Sequence, residues 1–439
     1  MSLIQKDKTY IWHPFTQAKT AADTIVITHG KAASLFDATG KEYLDLISSW
    51  WVNLHGHSHP KIVEALTRQA EKLEHVMFAG FTHEPAIRFA EQLVGLLPAS
   101  LNRVFYSDNG STAVEAAVKM ALQYWHNQGN PKKRLVAFEG AYHGDTFGAM
   151  SLGKSSGFYG PFTDHLFAVD FVSYPETWMD DSEVEAKEST SLHQLEQLIA
   201  SHGNDIAALV IEPLVQGSAG MRMCRPQFLE VLLERCQSNN ILVIYDEVMT
   251  GFGRTGTLFA CEQQQHTPDF ICLSKGITGG FLPLAVTVTS SKVYESFLGD
   301  TFSTAFTHGH SYTANPLGCA AAIASLSLFV EEQTFAKMKV IELIHKERVT
   351  QLQATGLVTQ GRMRGTIAAM DVKCPQTQYG SGMSQQLKEA FLAQGLNLRP
   401  LGNVIYLMPP YCIKPSQLHY AYDIIQKVLT AFAPQDLAR

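Results

Sequence analysis

Short apolar runs alternate with helix-like patterns between about residue 60 and about residue 330, and this alternation constrains the fold more than any other feature. The runs at 103–106, 135–138 and 207–211 are rich in apolar residues, as strands are in a parallel sheet buried on both faces. Apolar residues recur at helical spacing in segments 62–73, 113–125 and 228–237. The sequence therefore predicts an α/β fold, a doubly wound domain with a mostly parallel sheet.

A second, smaller domain is expected after this alternation ends. An amphipathic pattern through 346–353 leads into strand-like segments at 366–372, 396–399 and 404–408, and a last helix starts near Ser416. The 439 residues are enough for a large core and more than one domain. We expect an N-terminal segment, 1–59, that contributes to the small domain and the active site, then a large domain, 60–332, and a small α+β domain, 333–439.

Composition narrows the classes of protein to which the chain can belong. It is 46% hydrophobic and 17% charged, which excludes a disordered chain, and a formal net charge of −7 offers no basic surface for nucleic acid. The longest apolar stretch, 316–330, is too short to cross a membrane and is predicted to be a buried helix capped by Asn315. Seven scattered cysteines and a polar amino terminus fit a cytoplasmic protein that binds small molecules, with no metal site indicated.

Two charged residues stand at the ends of apolar runs near the middle of the chain. Asp246 closes the run 241–245, and Lys275 closes the run 270–274. At the carboxyl ends of parallel strands, both side chains would face the crevice in which such sheets bind ligands. Pyridoxal 5'-phosphate (PLP) requires this pair, since a lysine bonds to its aldehyde and an aspartate keeps its pyridine nitrogen protonated. Each residue alone is more often an ordinary strand end.

A glycine and two hydroxyl residues follow the strand at 103–106 and open the next helix. Gly110 allows close approach of a phosphate, and the amides and dipole at the start of a helix favour an anion. Ser111 and Thr112 add donors. An ordinary helix cap is the alternative. Because this helix start is predicted to follow a strand of the same sheet as Asp246 and Lys275, the better interpretation is that it binds a cofactor that carries a phosphate.

Four further residues are candidates for contacts with a planar cofactor or a substrate. Tyr142 lies in a glycine-punctuated loop after a strand, where its ring can stack on the cofactor. Of the adjacent Trp50 and Trp51, we expect at most one to pack inward and the other to face a pocket. Arg399 precedes a proline in an apolar stretch, which suits binding of a carboxylate.

The polar stretch 175–191 is predicted to be a surface loop.

Two rival functions have partial motifs. The residues GFGRTG at 251–256 match the glycine spacing of a dinucleotide fingerprint, but no helix pattern or later acidic strand end accompanies them. Alternate histidines at 55, 57 and 59 and at 308 and 310 are the spacing of a metallohydrolase, yet Gly56 and Pro60 indicate a turn. Both rivals are disfavoured by this context.

Taken with these motifs, the chain resembles the class III (subgroup II) aminotransferases, PLP-dependent enzymes of fold type I. The resemblance lies in Asp246, the Ser-Lys-Gly around Lys275, GFGRTG at 251–256 and IEP at 211–213, and it covers nearly the whole chain. Further motifs resemble the branch of that class that converts 8-amino-7-oxononanoate to 7,8-diaminononanoate in biotin biosynthesis. These are WHPFT at 12–16, SSWW at 48–51, HVMF at 75–78, ALQYW at 121–125, YHGDTFGAM at 142–150 and YLMPP at 406–410.

The resemblance implies a role for each matching position. The catalytic residues would be Lys275, Asp246 and Tyr142. The cofactor would be bound by Gly110, Ser111, Tyr142, Asp246, Lys275, His310 and Ser311. The substrate would be bound by Phe15, Trp50, Trp51, Tyr142, Lys275, Gly309 and Arg399. Residues 309–311 fall where the family contributes to the partner subunit's site, so a homodimer is expected.

Two positions depart from the family pattern. Phe15 replaces a common tyrosine, which keeps the ring and removes the hydroxyl, and His310-Ser311 replaces a common Pro-Thr. S-adenosylmethionine is the amino donor that the resemblance implies. Lysine as donor, or a general ω-amino acid:pyruvate aminotransferase, are the alternatives.

Overall fold

The computed structural model describes residues 1–154, 159–373 and 382–432. The strands are β1 (Ile27–Lys31), β2 (Ser34–Asp37), β3 (Glu42–Asp45), β4 (Arg103–Ser107), β5 (Arg134–Phe138), β6 (Asp170–Val172), β7 (Ile206–Ile211), β8 (Val215–Gln216), β9 (Arg222–Met223), β10 (Leu242–Asp246), β11 (Phe270–Leu273), β12 (Ala285–Thr289), β13 (Val358–Arg364), β14 (Ile367–Val372), β15 (Leu396–Asn397) and β16 (Val404–Leu407). The helices are α1 (Leu3–Tyr10), α2 (Ser48–Trp51), α3 (Pro60–Ala70), α4 (Glu84–Leu96), α5 (Gly110–Asn127), α6 (Phe147–Leu152), α7 (Val184–His202), α8 (Pro226–Ser238), α9 (Ser291–Glu295), α10 (Pro316–Glu331), α11 (Thr334–Ala354), α12 (Gly382–Ala393) and α13 (Pro415–Phe432).

A seven-stranded sheet in the order β4-β12-β11-β10-β7-β5-β6 organises the middle of the chain. Only β12 runs against its neighbours; the other six strands share one direction. Every residue of β7, β10 and β11 is buried, as their apolar composition requires. The predicted fold class, a mostly parallel sheet of fold type I, is confirmed.

Strands β10 and β11 are neighbours in this sheet, and their parallel register joins the two charged positions. Asp246 pairs with Cys272, and the amide of Glu247 donates to the carbonyl of Cys272 at 3.0 Å. Lys275 begins a 3₁₀-helix just beyond the end of β11. Both functional groups therefore emerge at the same sheet edge.

The first sixty residues pair with the end of the chain. Strands β1, β2 and β3 form an antiparallel meander, and β15 adds to it in parallel beside β3. A separate sheet contains β13, β14 and β16. The N-terminal segment thus shares a sheet with residues from the predicted small domain, while the boundaries 1–59, 60–332 and 333–439 stay a prediction.

Several local predictions can be compared with the structure. Asn315 caps α10 by accepting from the amides of Leu317 and Gly318, as predicted.

The predicted loop at 175–191 is wrong in its second half, because α7 begins at Val184 and buries one face. Two of its glutamates bind Arg225, at 2.7 Å each, which explains how so polar a segment is held on the protein. The predicted strand 396–399 is limited to Leu396–Asn397, so Arg399 follows it.

No helix of the described residues is long and apolar enough to cross a membrane.

Candidate active site

A cavity of about 450 Å³ opens at the carboxyl edge of the seven-stranded sheet. The residues of the cavity that can bind or react with a ligand each follow, or end, a strand that runs toward this edge. They are Gly110 and Ser111 after β4, Tyr142 and His143 after β5, Glu212 after β7, Asp246 on β10 and Lys275 after β11. Residues far apart in sequence meet here because carboxyl ends of parallel strands share one edge.

Asp246 is buried and accepts two hydrogen bonds. Its Oδ2 atom lies 2.7 Å from Nδ1 of His143, and its Oδ1 atom accepts from the amide of Val248 at 3.0 Å. Burial alone would lower the pKa of His143, but the hydrogen bond and charge of Asp246 outweigh it and raise that pKa. A proton on Nδ1 of His143 therefore faces a carboxylate that stays available to a positive group in the cavity. His143 had not been predicted as a site residue.

The Lys275 amine lines the cavity and is partly buried. Burial lowers the pKa of Lys275, and the charges of Asp246 and Glu212 oppose that effect. Its Nζ atom lies 4.6 Å from the centre of the Trp51 ring. The face of this ring attracts the amine when it is charged and shields it from water on that side when it is neutral. Its backbone has a φ of 40°, a left-handed conformation that is costly outside glycine and is found mainly at functional sites.

Glu212 ties the loop that carries Tyr142 to the wall of the cavity. Its carboxyl oxygens accept from the amides of Tyr142 at 3.1 Å and Gly217 at 2.9 Å. Burial raises the pKa of Glu212 to about 7, while His143 and the two amides pull it down. Burial also raises the pKa of Tyr142, and nearby Asp145 adds to this, so the phenol remains protonated at neutral pH. In the sequence Glu212 stands only within the IEP motif at 211–213, and no local pattern indicates its role.

The start of α5 forms the end of the cavity that suits an anion. The first amides of a helix have no partner within the helix, and Gly110 and Ser111 supply two of them. A Cβ atom on Gly110 would lie 2.6 Å from Cγ1 of Val248, so only glycine lets the strand end and the helix start approach this closely. Gly144 has a φ of 127°, and a Cβ there would lie 1.9 Å from Oγ of Ser111.

Three predicted substrate residues form a separate cluster, which we call the Arg399 cluster: Phe15, Trp50 and Arg399. The Arg399 guanidinium lies 4.0 Å from the centre of the Trp50 ring and 6.0 Å from that of Phe15, and the two rings are 5.7 Å apart. Trp50 is 39% exposed and Trp51 only 5%, so one tryptophan faces outward and the other packs inward. Arg399 thus lies against an aromatic ring that is partly exposed, within the distance of a cation–π contact.

Residues 309–311 do not line the cavity of their own chain. His310 lies at 3.9 Å from Asp108, which does line it, and the carbonyl of Ser311 accepts from Nε2 of His75 at 2.5 Å. Contacts of Gly309, His310 and Ser311 with a second subunit remain a prediction.

A buried arginine that had not been predicted fixes the floor near Trp51. Arg254 is 1% exposed and donates to the carbonyls of Pro409 at 3.2 Å, Asn53 at 3.0 Å and Trp51 at 3.4 Å. Burial lowers its pKa. The glycine-rich segment 251–256 that contains it is followed only by a short 3₁₀-helix, Ala260–Gln263, whereas a dinucleotide site would require an α-helix that opens directly on the glycines.

The alternate histidines each have a different partner. His55 contacts Oγ of Ser325 at 3.2 Å, His57 contacts Asp45 at 2.9 Å and His59 contacts Glu332 at 2.8 Å. In residues 1–154, 159–373 and 382–432, no group of three or more His, Cys, Asp and Glu side chains is arranged to hold a metal ion.

The residues of the cavity fit PLP. The start of α5 suits the phosphate, and Asp246 offers a carboxylate to the pyridine nitrogen. Lys275 offers an amine to the aldehyde, and the Tyr142 ring offers an aromatic face. The close approach of Gly144 to Ser111 leaves room for no larger residue at the phosphate end.

Comparisons with known proteins point to the same chemistry. Residues 16–429 match the family model described as aminotransferase class-III. The chain is 54% identical over 420 residues to the adenosylmethionine-8-amino-7-oxononanoate aminotransferase of Synechococcus elongatus, covering 96% of this chain and 98% of that relative. The crystal structure of the enzyme of that name from Methanocaldococcus jannaschii is similar with a TM-score of 0.91 and 36% identity, over 98% of each chain. An amine transaminase from an uncultivated Pseudomonas species, in its PLP-bound form, is similar with a TM-score of 0.86 and 28% identity, over 96% of this chain and 98% of that one.

We predict that Gly144→Ala weakens PLP binding by about tenfold or more, because a methyl group there overpacks Ser111 at a cost of about 1–3 kcal/mol. Titration of the cofactor-free protein with PLP, followed by absorbance, measures the dissociation constant. Gly129→Ala is the matched control, since Gly129 has a φ of 73° with nothing within 4 Å of its Cβ position. Equal PLP affinity in the two variants would contradict the prediction.

Proposed function

We propose a function for a chain that belongs to the class III aminotransferase family: it transfers an amino group from S-adenosylmethionine to 8-amino-7-oxononanoate, with PLP as cofactor. The product is 7,8-diaminononanoate, an intermediate of biotin biosynthesis. The observation that carries the proposal is the arrangement of Lys275, Asp246 and the α5 start around one cavity, in a chain 54% identical to an aminotransferase of that name.

When bound, PLP supplies an aldehyde for amines to attack and a pyridinium ring that stabilises negative charge at the carbon losing its proton. The remaining work falls to the side chains of this protein. Gly110 and Ser111 would hold the phosphate by their amides, and the Tyr142 ring would pack against the cofactor face. His310 and Ser311 would reach the phosphate of the partner subunit's site.

Lys275 is suited to bond to the cofactor and then to move a proton. Burial lowers its pKa, which increases the fraction of neutral amine at physiological pH. A neutral Nζ atom is a nucleophile, and with PLP bound it would take the proton from the substrate carbon and deliver it to the cofactor carbon. The apolar ring of Trp51 covers the amine on one side.

Asp246 would keep the pyridine nitrogen protonated, and His143 would support Asp246. The Nδ1 atom of His143 donates to Oδ2 of Asp246 at 2.7 Å, which fixes the rotamer of the carboxylate and stabilises its charge. Glu212, whose pKa burial raises to about 7, carries only part of a negative charge beside Asp246 at neutral pH.

The Arg399 cluster would receive the far end of the substrate. In 8-amino-7-oxononanoate a chain of methylene groups separates the ketone from a carboxylate. Phe15 and Trp50 offer apolar surface for the methylene groups, and the Arg399 guanidinium offers paired donors for the carboxylate. Gly309 would contact substrate in the partner subunit's site.

A homodimer follows from the proposed role of residues 309–311. Phe302 and Tyr312 flank this segment and are 80% and 61% exposed, and Met77, in the segment that contacts Tyr312 through His75, is 58% exposed. So much exposed apolar surface around one segment fits burial against a second subunit. Sedimentation equilibrium should give twice the chain mass of 48.5 kDa, and a purely monomeric active enzyme would contradict the dimer.

We expect the purified protein with PLP to convert 8-amino-7-oxononanoate to 7,8-diaminononanoate when S-adenosylmethionine is the donor, as measured by mass spectrometry. Because Phe15 lacks a hydroxyl, lysine and an ω-amino acid are tested as donors in parallel. Borohydride reduction should attach PLP permanently to the wild type and not to Lys275→Ala. Lys132→Ala is the control, since Lys132 is also a buried lysine of lowered pKa but lies outside the cavity. Absence of amination with every donor would overturn the proposed function.

Asp246→Asn is predicted to reduce turnover by about a hundredfold or more, because a neutral amide cannot hold the proton on the pyridine nitrogen. PLP binding should change little, since the phosphate contacts and Lys275 are intact. Steady-state rates and a PLP titration measure the two effects. Asp269→Asn is the control: Asp269 accepts from the amide of Val243 at the opposite end of the same strands, and its loss should leave turnover near normal in the folded fraction. Near-normal turnover in Asp246→Asn would remove the role assigned to this carboxylate.

A further inference from the structure

Asp45, at the end of β3, is completely buried and does not line the cavity. It stands immediately before the turn that carries Trp50 and Trp51. A buried carboxylate is costly unless every oxygen lone pair is well used, so its contacts indicate what it does.

The Asp45 carboxylate accepts hydrogen bonds from the backbone that follows it, from His57 and from Asn397. Oδ2 accepts from the Ser49 amide at 2.7 Å and from Nε2 of His57 at 2.9 Å. Oδ1 accepts from the Ile47 amide at 3.3 Å and from Nδ2 of Asn397 at 3.1 Å. Nδ1 of His57 in turn faces Nδ2 of Asn53 at 3.3 Å, so the tautomer with a proton on Nε2 satisfies both groups.

The turn held by Asp45 is α2, Ser48–Trp51, whose backbone departs from a regular helix and is strained. Ser48, Ser49 and Trp51 have φ values of 51°, 63° and 70°, all in the left-handed region that non-glycine residues avoid. Such a turn persists only when surrounding contacts hold it. The short bond from the Ser49 amide to Asp45 acts on the residue next to Trp50, so it restrains the position of that ring.

The contact with Asn397 reaches the other half of the Arg399 cluster. Strand β15 pairs with β3 so that Asn397 lies opposite Asp45, and Arg399 follows two residues later. The amide of Leu46 also donates to the carbonyl of Asn397 at 3.3 Å. One carboxylate therefore bonds both to the turn that carries Trp50 and to the segment that carries Arg399.

We propose that Asp45 is a positioning residue for substrate recognition: it sets the separation of Trp50 and Arg399 and thereby the affinity for the substrate carboxylate. This rests on the proposed function, in which Arg399 binds that carboxylate. Asp45 acts only through its neighbours and touches neither cofactor nor substrate.

The effect is expected on binding more than on the chemical step. Trp51, which contacts Lys275, has its own anchor, since its Nε1 atom donates to the Tyr406 hydroxyl at 3.0 Å. Lys275 and Asp246 belong to the seven-stranded sheet, which does not include β3. Loosening the Asp45 contacts would thus misplace the Arg399 cluster and leave the reacting groups in place.

Asp45→Asn is the direct test, because the amide keeps the shape and turns one acceptor into a donor. Every contact of the carboxylate comes from a donor, so at least one side of the amide would face donors it cannot satisfy. With saturating donor, we expect KM for 8-amino-7-oxononanoate to rise by about tenfold or more with kcat largely retained. KM for its methyl ester, which has no negative charge for Arg399, should change far less.

Asp37→Asn is the matched control. Asp37 lies in the adjacent strand β2 and accepts from Thr39, Lys41 and Tyr43 within its own hairpin, away from the Trp50 turn. It should leave KM for both compounds unchanged.

Asn397→Ala keeps the test decisive if Asp45→Asn folds poorly, since it removes only the link to the Arg399 segment. It should raise KM for the acid, and not for the ester, in the same sense. A general loss of folded enzyme would lower kcat for both compounds equally without shifting KM, and that result would overturn the role of Asp45. An unchanged KM for the acid in both variants would overturn it as well. A wild type that aminates neither compound would instead overturn the proposed function.

Discussion

The parallel hydrogen-bonded pairing of β10 with β11 is the constraint on which the site depends. It brings the end of one strand, Asp246, beside the start of the turn that carries Lys275, with Asp246 in register with Cys272. Strands β4, β5 and β7 run the same way and add the α5 start, the Tyr142 loop and Glu212 at that edge. A reversal of any one of these strands would carry its functional residue to the opposite side of the sheet.

Burial then gives the assembled groups their chemical properties. The interior of the sheet has a low dielectric constant, so burial lowers the pKa of Lys275 and raises that of Glu212 to about 7. His143 and Asp246 escape the full cost of burial through the 2.7 Å contact between them. The same apolar environment that makes the strands a parallel sheet thus increases the fraction of the lysine that is neutral and nucleophilic.

Sequence patterns predicted the residues whose role follows from a local feature. Asp246, Lys275, Gly110 and Ser111 stand at strand ends or a helix start, and such positions can be recognised from periodicity. Glu212 and Arg254 could not be assigned in this way. Glu212 accepts from the amide of Tyr142, and Arg254 donates to the carbonyls of Asn53 and Pro409, all in segments distant in sequence. The error at 175–191 has a related cause: α7 is polar, and its attachment through Arg225 is a contact between segments some forty residues apart.

The residues proposed for substrate recognition and those proposed for the chemistry belong to different sheets. The reacting groups extend from the seven-stranded sheet, whereas Trp50 follows β3 and Arg399 follows β15 in the four-stranded one. The Arg399 cluster exists only because the amino-terminal strands pair with a strand near the other end of the chain, an association that periodicity alone does not reveal. Separation of this kind lets the substrate end of the site change, as at Phe15, without disturbing the placement of Lys275 and Asp246. This separation is also the reason why we expect Asp45, the buried carboxylate between β3 and β15, to influence which substrate binds more than how fast a bound one reacts.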